Sequence, residues 1–262
     1  MTVPTLAETI KPQVPVLAGR GDVVILGPSL GADARLWDLA LPVIEARHSV
    51  VRWDLPGHGD SLPTQESFTL AELAVGVIAL ADSHGVDRFD YAGVSVSGAV
   101  GLELARLYPD RVKSAAVVCS AAKIGEASAW AERAALIRAQ GTEVLLAVTP
   151  ARWFAEDFPA KHPEIVARLL AMIAAVDDES YARTCEALGA FDGRQTLAAI
   201  TVPVLVISGQ LDPGTPPEAG ALIAETVPGA RQVVIAGVSH QAVVEKPTVV
   251  GRILVDFFAE NR

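Results

Sequence analysis

Tyr91-Ala92-Gly93-Val94-Ser95-Val96-Ser97-Gly98 is the stretch on which the reading of the whole chain turns. Phe89 to Ala92 is apolar and short enough for a buried strand, and Gly98 to Ala105 has the composition of a helix. A serine between a strand and a helix suggests a nucleophile elbow, in which a strained backbone lifts the hydroxyl clear at the top of a sheet. Such a turn needs small residues two before and two after the serine, because strand and helix nearly touch there. Gly93 meets that demand, and Ser97 stands where the usual G-x-S-x-G pattern has a second glycine. Taken alone, the pentapeptide also fits a plain Gly/Ser-rich turn.

The totals narrow the field. A chain of 262 residues with 51% hydrophobic and 20% charged residues can bury a sizeable core, as one large α/β domain or two small ones. Its net charge of -10 at pH 7 argues against nucleic acid and against an anionic membrane surface as partners. An anionic substrate would need a local cation. Cys119 and Cys185 have no disulfide or metal spacing, which points to a reducing compartment. The start, Met1-Thr2-Val3-Pro4-Thr5, lacks a secretory pattern, and no apolar run is long enough to span a membrane. The expected location is the cytoplasm.

Outward from the elbow, strands and helices alternate. Residues 1 to 22 are weakly patterned, with room for one or two edge strands. Val23 to Leu26 reads as a buried strand, followed by the loop Gly27-Pro28-Ser29-Leu30-Gly31 and a helix from about Ala34 to Ile44. Ser49 to Trp53 is a further strand before the glycine-rich Asp54-Leu55-Pro56-Gly57-His58-Gly59-Asp60-Ser61. Leu70 to Ser83 has helical apolar spacing with Thr69 as N-cap. Ser114 to Cys119, Pro203 to Ile207 and Gln232 to Ile235 are strands; Pro217 to Thr226 and Val249 to Ala259 are helices. From Ala121 to about Leu197 the pattern is helical throughout. The expectation is an α/β fold: a mostly parallel sheet covered on both faces, formed by residues 1–120 and 198–262, with 121–197 as a helical cap over the strands' C-terminal edge.

In open parallel sheets the active crevice lies at the carboxyl ends of the strands. The strand ending at Ile207 leads into Ser208-Gly209-Gln210-Leu211-Asp212-Pro213, and the strand ending at Ile235 into Ala236-Gly237-Val238-Ser239-His240. A serine nucleophile needs a base, an acid to orient it and donors for the oxyanion, so Ser95, His240 and Asp212 are the catalytic candidates. The oxyanion donors are the amide of Val96 and one from the loop after Leu26, assigned to Leu30 with Ser29 as the alternative; Pro28 has no amide to give. His58 competes with His240 as base, but its setting suits shaping its own loop. Asp212 before proline also fits an ordinary turn aspartate, and Asp54 reads as structural. No cluster has metal-ligand spacing, so neither metal nor cofactor is expected.

Taken with Pro28-Ser29-Leu30-Gly31, Arg35-Leu36-Trp37-Asp38, Asp54 to Ser61, Trp130-Ala131-Glu132-Arg133, Arg152-Trp153-Phe154 and Tyr181 to Leu188, the chain from about Val23 onward resembles the α/β-hydrolase superfamily. Within it, these stretches resemble the 3-oxoadipate enol-lactonases. The resemblance implies hydrolysis of a small anionic lactone by a Ser-His-Asp triad. It also implies a cation from the cap to meet the substrate carboxylate, with Arg133 first and Arg183 second, and Trp130 and Trp153 as apolar walls. Ser97 departs from the glycine usual in that family. Competing readings are a carboxylesterase or cofactor-free peroxidase-like relative, and a non-catalytic binding protein of the same fold. The sequence assigns no oligomeric state.

Overall fold

The computed structural model describes residues 22–261 together with Thr5, so the edge strands expected within 1–22 lie outside the described residues. In chain order the elements are β1 (Val23–Gly27), α1 (Leu41–Ile44), β2 (Ser49–Arg52), α2 (Leu70–Ser83), β3 (Phe89–Val94), α3 (Val96–Leu107) and β4 (Val112–Val118). Five helices follow without a strand: α4 (Ala127–Gln140), α5 (Thr149–Trp153), α6 (Phe158–Lys161), α7 (Pro163–Ala174) and α8 (Asp178–Ala190). Then come β5 (Val204–Gly209), α9 (Pro217–Thr226), β6 (Arg231–Ile235), α10 (Ala242–Glu245) and α11 (Pro247–Glu260).

The six strands form one sheet in the order β2-β1-β3-β4-β5-β6, and every described pairing is parallel. Both faces are covered, which is why the central strands read as unbroken apolar runs. Successive side chains still part to opposite faces. Ile25, Tyr91, Val117 and Val206 pack with Leu73 and Val77 of α2, Val100 and Leu104 of α3, and Ile223 of α9. Val24, Leu26, Ala92, Val118 and Ile207 pack on the other side with Ile44 of α1 and Leu254 and Phe258 of α11. α2 begins where expected, with Thr69 and Glu72 forming a reciprocal capping box.

One expected element is broken. The helix read over Ala34 to Ile44 is a 3-10 turn, Ala34–Trp37, and the separate short α1. Pro42 explains the break: it has no N–H to donate, and its ring would strike the carbonyl four residues back, so no helix runs through it. The turn instead carries Trp37 inward, where its indole N–H donates to the carbonyl of Gly27 at the end of β1.

The strand order places the site. From β1 the chain moves to β2 on one side, then returns past β1 to β3 on the other. The crevice between β1 and β3 is therefore the topological switch point, where the loops leaving adjacent strands part. Gly27 pairs with Gly93 in that register, so the loop after β1 and the elbow after β3 emerge side by side.

Candidate active site

Ser95 sits between β3 and α3 with φ 57° and ψ -118°, one of two non-glycine residues with positive φ among those described. Such a conformation costs about 1–3 kcal/mol and persists only where its surroundings hold it. Here they do. The Ser95 N–H donates to the carbonyl of Val118 (2.9 Å), and the Ser95 carbonyl accepts from the Ser120 hydroxyl (2.6 Å). A Cβ on Gly93 would collide with the Ser97 carbonyl, so only glycine fits there. The elbow read in the sequence is a strained turn and not a plain one.

The loop after β5 wraps Asp212 in donors. Its Oδ1 accepts the amides of Gly214 (2.8 Å) and Thr215 (3.0 Å); its Oδ2 accepts the Thr215 hydroxyl (2.7 Å) and lies 2.7 Å from His240 Nδ1. Burial opposes ionisation of this carboxyl. The His240 ring and Thr215 outweigh burial and hold it below the usual carboxylate range. Asp212 is thus both the turn aspartate and the partner of His240. Nδ1 is bonded to the carboxylate, and Ser95 and His240 line one cavity.

Thr215 was not legible as a functional residue, although Asp-Pro-Gly-Thr is a turn sequence that returns a hydroxyl to the aspartate. Thr215→Val removes one charge-assisted hydrogen bond to the buried Asp212 carboxylate, and is expected to lower kcat/KM for hydrolysis about tenfold and stability by about 1.5–3 kcal/mol. Parallel rate and unfolding measurements check this.

His240 is steadied from behind by Glu245 of α10. The Glu245 carboxylate accepts the amide of Ser239 (2.7 Å) and that of Ala155 (2.9 Å), joining the histidine loop to the helical block. Burial pushes the Glu245 carboxyl up despite those donors. The Gln241 amide donates to the Trp153 carbonyl (2.9 Å), a second link between the same segments.

The loop Gly27–Gly31 is fastened at four points. Gly27 O accepts Trp37 Nε1 (3.0 Å), Pro28 O accepts the Ser97 hydroxyl (2.5 Å), the Ser29 hydroxyl accepts Gln241 Nε2 (3.0 Å), and Gly31 N–H donates to His58 Nε2 (3.1 Å). His58 is fully buried, which lowers its pKa to about 4. It is therefore neutral near pH 7, with Nδ1–H donating to the Pro56 carbonyl (2.9 Å) and the Nε2 lone pair free to accept. His58 does more than shape its own loop: it anchors the neighbouring one. Asp54 is structural, accepting the amides of Ala34 and Asp60. With the Gly31 amide on His58 and the Ala32 amide on Ser29 O, the Leu30 amide has no protein acceptor among the described residues. Leu30 also lines the cavity, and Ser29 does not.

That cavity encloses about 110 Å³. At roughly 10–15 Å³ per water it takes a small molecule, not a long acyl chain. Leu30, Ser95, Pro213, Gly214 and His240 line it from the loops after the strands, and Ile124, Trp130, Arg133, Thr149, Arg152, Trp153, Ile173 and Tyr181 from the segment after β4. Trp130, Trp153 and Arg133 line it, the Arg133 guanidinium lying 5.7 Å from the Trp130 ring centre. Arg183 does not reach the cavity. Its guanidinium is engaged by Glu179 (2.7 Å) and Glu186 (3.0 Å) on its own helix and by Ser67 (3.0 Å). The second arginine at the cavity is Arg152. Neither Arg133 nor Arg152 has a carboxylate partner among the described residues, so both charges are available to a ligand. Those residues include no group of three His, Cys, Asp or Glu able to hold a metal ion, and no helix long and apolar enough to cross a membrane.

Residues 22–247 match the family model of the alpha/beta hydrolase fold. The chain belongs to that family. It is 35% identical over 224 residues to 3-oxoadipate enol-lactonase 2 of Acinetobacter baylyi, covering 86% of this chain and 84% of that one. It is 30% identical over 226 residues to the pimeloyl-[acyl-carrier protein] methyl ester esterase of Neisseria meningitidis, covering 80% and 82%. The crystal structure of the enol-lactonase from Burkholderia xenovorans superposes with a TM-score of 0.92 at 31% identity, covering 97% of this chain and 96% of that one. As a member of this family the chain is a hydrolase, and its sequence is enol-lactonase-like.

Proposed function

We propose that this hydrolase opens a small carboxylate-bearing enol-lactone, 3-oxoadipate enol-lactone being the substrate that best fits, through Ser95, His240 and Asp212. The observation that carries the reading is that Arg133 and Arg152, neither paired within the described protein, line the same small cavity as Ser95 and His240. The similarity to 3-oxoadipate enol-lactonases supports the same choice. Residues 121–197 serve as the cap, since they supply both arginines and both tryptophans. Reduced, buried Cys119 and Cys185 suit the cytoplasm.

In the proposed reaction Ser95 Oγ attacks the lactone carbonyl carbon while His240 Nε2 takes its proton. Asp212 fixes the ring tautomer and stabilises the imidazolium. The carbonyl electron pair becomes an oxyanion between the amides of Leu30 and Val96. Collapse re-forms the carbonyl and breaks the ring C–O bond. The leaving oxygen is enolic, a good leaving group, and receives the proton from His240; the enol then becomes the ketone. Water attacks the acyl-serine, its proton passing to His240. A second collapse returns the proton to Ser95 Oγ and releases the new carboxylic acid, which ionises. The remote carboxylate remains on the arginines throughout, so ring opening stays an intramolecularly oriented event.

The test compares kcat/KM for 3-oxoadipate enol-lactone and a short neutral p-nitrophenyl ester in the wild type and in Arg133→Ala, Arg152→Ala and the double variant. The double variant is expected to lose about 30- to 100-fold on the lactone, mostly in KM, and less than threefold on the neutral ester. Equal losses on both substrates would reject the carboxylate-reading role. Preference of the wild type for the ester would move the protein to the general esterases.

A further inference from the structure

We propose that Ser97 is a positioning residue for the oxyanion hole, its hydroxyl setting the Leu30 amide against the Val96 amide. The inference rests on the reading of Ser95 as nucleophile and goes beyond it. The two oxyanion amides lie on different segments. The parallel ladder between β1 and β3 ends at the pair Gly27–Gly93, and beyond it no backbone hydrogen bond joins the two loops among the described residues. The Ser97 hydroxyl closes that gap by donating to the Pro28 carbonyl at 2.5 Å across 69 positions of sequence. Ser97 is one residue beyond Val96, and Pro28 is two before Leu30, so the bond ties together the two segments that carry the donors.

The surroundings leave Ser97 little freedom. It is fully buried, and its own carbonyl accepts the Tyr91 hydroxyl at 3.0 Å. A Cβ on Gly27 would stand 2.6 Å from the Ser97 Cβ, so β1 and α3 approach as closely as a glycine on the β1 side permits. No other donor reaches the Pro28 carbonyl among the described residues. A glycine at 97 would leave that buried oxygen unpaired and open a gap where the loop is held. An amide that must meet developing charge works through fixed placement, and a small displacement weakens it in the transition state more than in the ground state.

The test measures Ser97→Ala and Ser97→Gly beside the wild type. Readouts are kcat and KM on the lactone and on p-nitrophenyl acetate, and affinity for a trifluoromethyl ketone and for 3-oxoadipate. The ketone forms a bond from Ser95 Oγ to its carbonyl carbon, passes the serine proton to His240 and leaves an oxyanion in the hole; the hemiketal has its own fluorine NMR signal. Both variants are expected to lose about tenfold in kcat on either substrate with KM within twofold. Ketone affinity should weaken by the same factor while 3-oxoadipate binds as before. Unchanged kcat and ketone affinity in a folded Ser97→Ala protein would overturn the proposal, as would equal weakening of ketone and 3-oxoadipate. If the wild type itself forms no hemiketal, the nucleophile reading fails, and the Ser97 role falls with it for that separate reason.

Discussion

Ser95→Ala should lower kcat on the enol-lactone by about 10,000-fold or more while leaving the fold intact. The methyl group of alanine fills the same space but supplies no nucleophilic oxygen, and the acyl-enzyme cannot form. Leu30 and Val96 remain as donors, so a residual rate above that in water is expected. Stability is the discriminating control. The Ser95 hydroxyl has no hydrogen-bond partner among the described residues, and alanine inherits the same φ of 57°. Ser95→Ala should therefore unfold within about 0.5 kcal/mol of the wild type. Ser95→Gly tolerates positive φ without strain and should be about 1 kcal/mol more stable than the alanine variant, though equally inactive. Rate assays and urea unfolding of the three proteins settle both points. Turnover by Ser95→Ala above a hundredth of the wild-type rate would sink the proposed mechanism.

The residues readable in advance were those whose position follows from local pattern. Val23 to Leu26 and Phe89 to Ala92 are apolar on both faces, which a strand inside a parallel sheet must be. Once the strands are placed, Ser95, Asp212 and His240 fall at one edge with no further information. Apolar spacing over Ala34 to Ile44 predicts one helix, but Pro42 admits only a helix start, so the segment divides there. The arginines were harder. Arg133, Arg152 and Arg183 lie on three different helices of the helical block, α4, α5 and α8. Which of them meets the cavity depends on how α4 and α8 pack, and Glu179 and Glu186 turn Arg183 aside at helical spacings of four and three. The Ser97–Pro28 bond joins residues too distant in sequence for any local pattern to pair them.

These misses share a physical cause. The proposed chemistry uses groups at strand ends, where sequence order is informative. Their placement is carried by side chains reaching across the switch point from other elements: Trp37, Ser97, His58 and Gln241 each hold the loop after β1 from a different direction. Preorganisation of that kind leaves no motif, because each bond needs only one hydroxyl, indole, imidazole or amide at the right tertiary position.

His58 makes that fastening sensitive to acid, and the sensitivity can be separated from catalysis. Burial lowers its imidazole pKa from the ordinary value of 6.5 to about 4 in the folded state. Between those values the unfolded chain binds a proton that the native state refuses, so stability rises with pH across the window. The contribution is complete above about pH 6.5 and is lost as pH falls toward 4. At about 1.4 kcal/mol per pH unit it amounts to about 3 kcal/mol in all, of which about 2 kcal/mol disappears between pH 7 and pH 5. Carboxyls held low, such as Asp212 and Glu179, lose their contributions only below their ordinary range, so they do not act in that interval. Glu245, pushed up by burial, slopes the other way just above its ordinary value. The comparison that isolates His58 is therefore with His58→Gln, whose amide can accept the Gly31 N–H but cannot titrate. Urea unfolding at pH 7, 6 and 5 should show the wild type converging on the variant as pH falls, the gap between them closing by about 2 kcal/mol over the two units. Parallel slopes would mean that the buried ring titrates normally, and with that the neutral His58–Gly31 anchor would have to be abandoned.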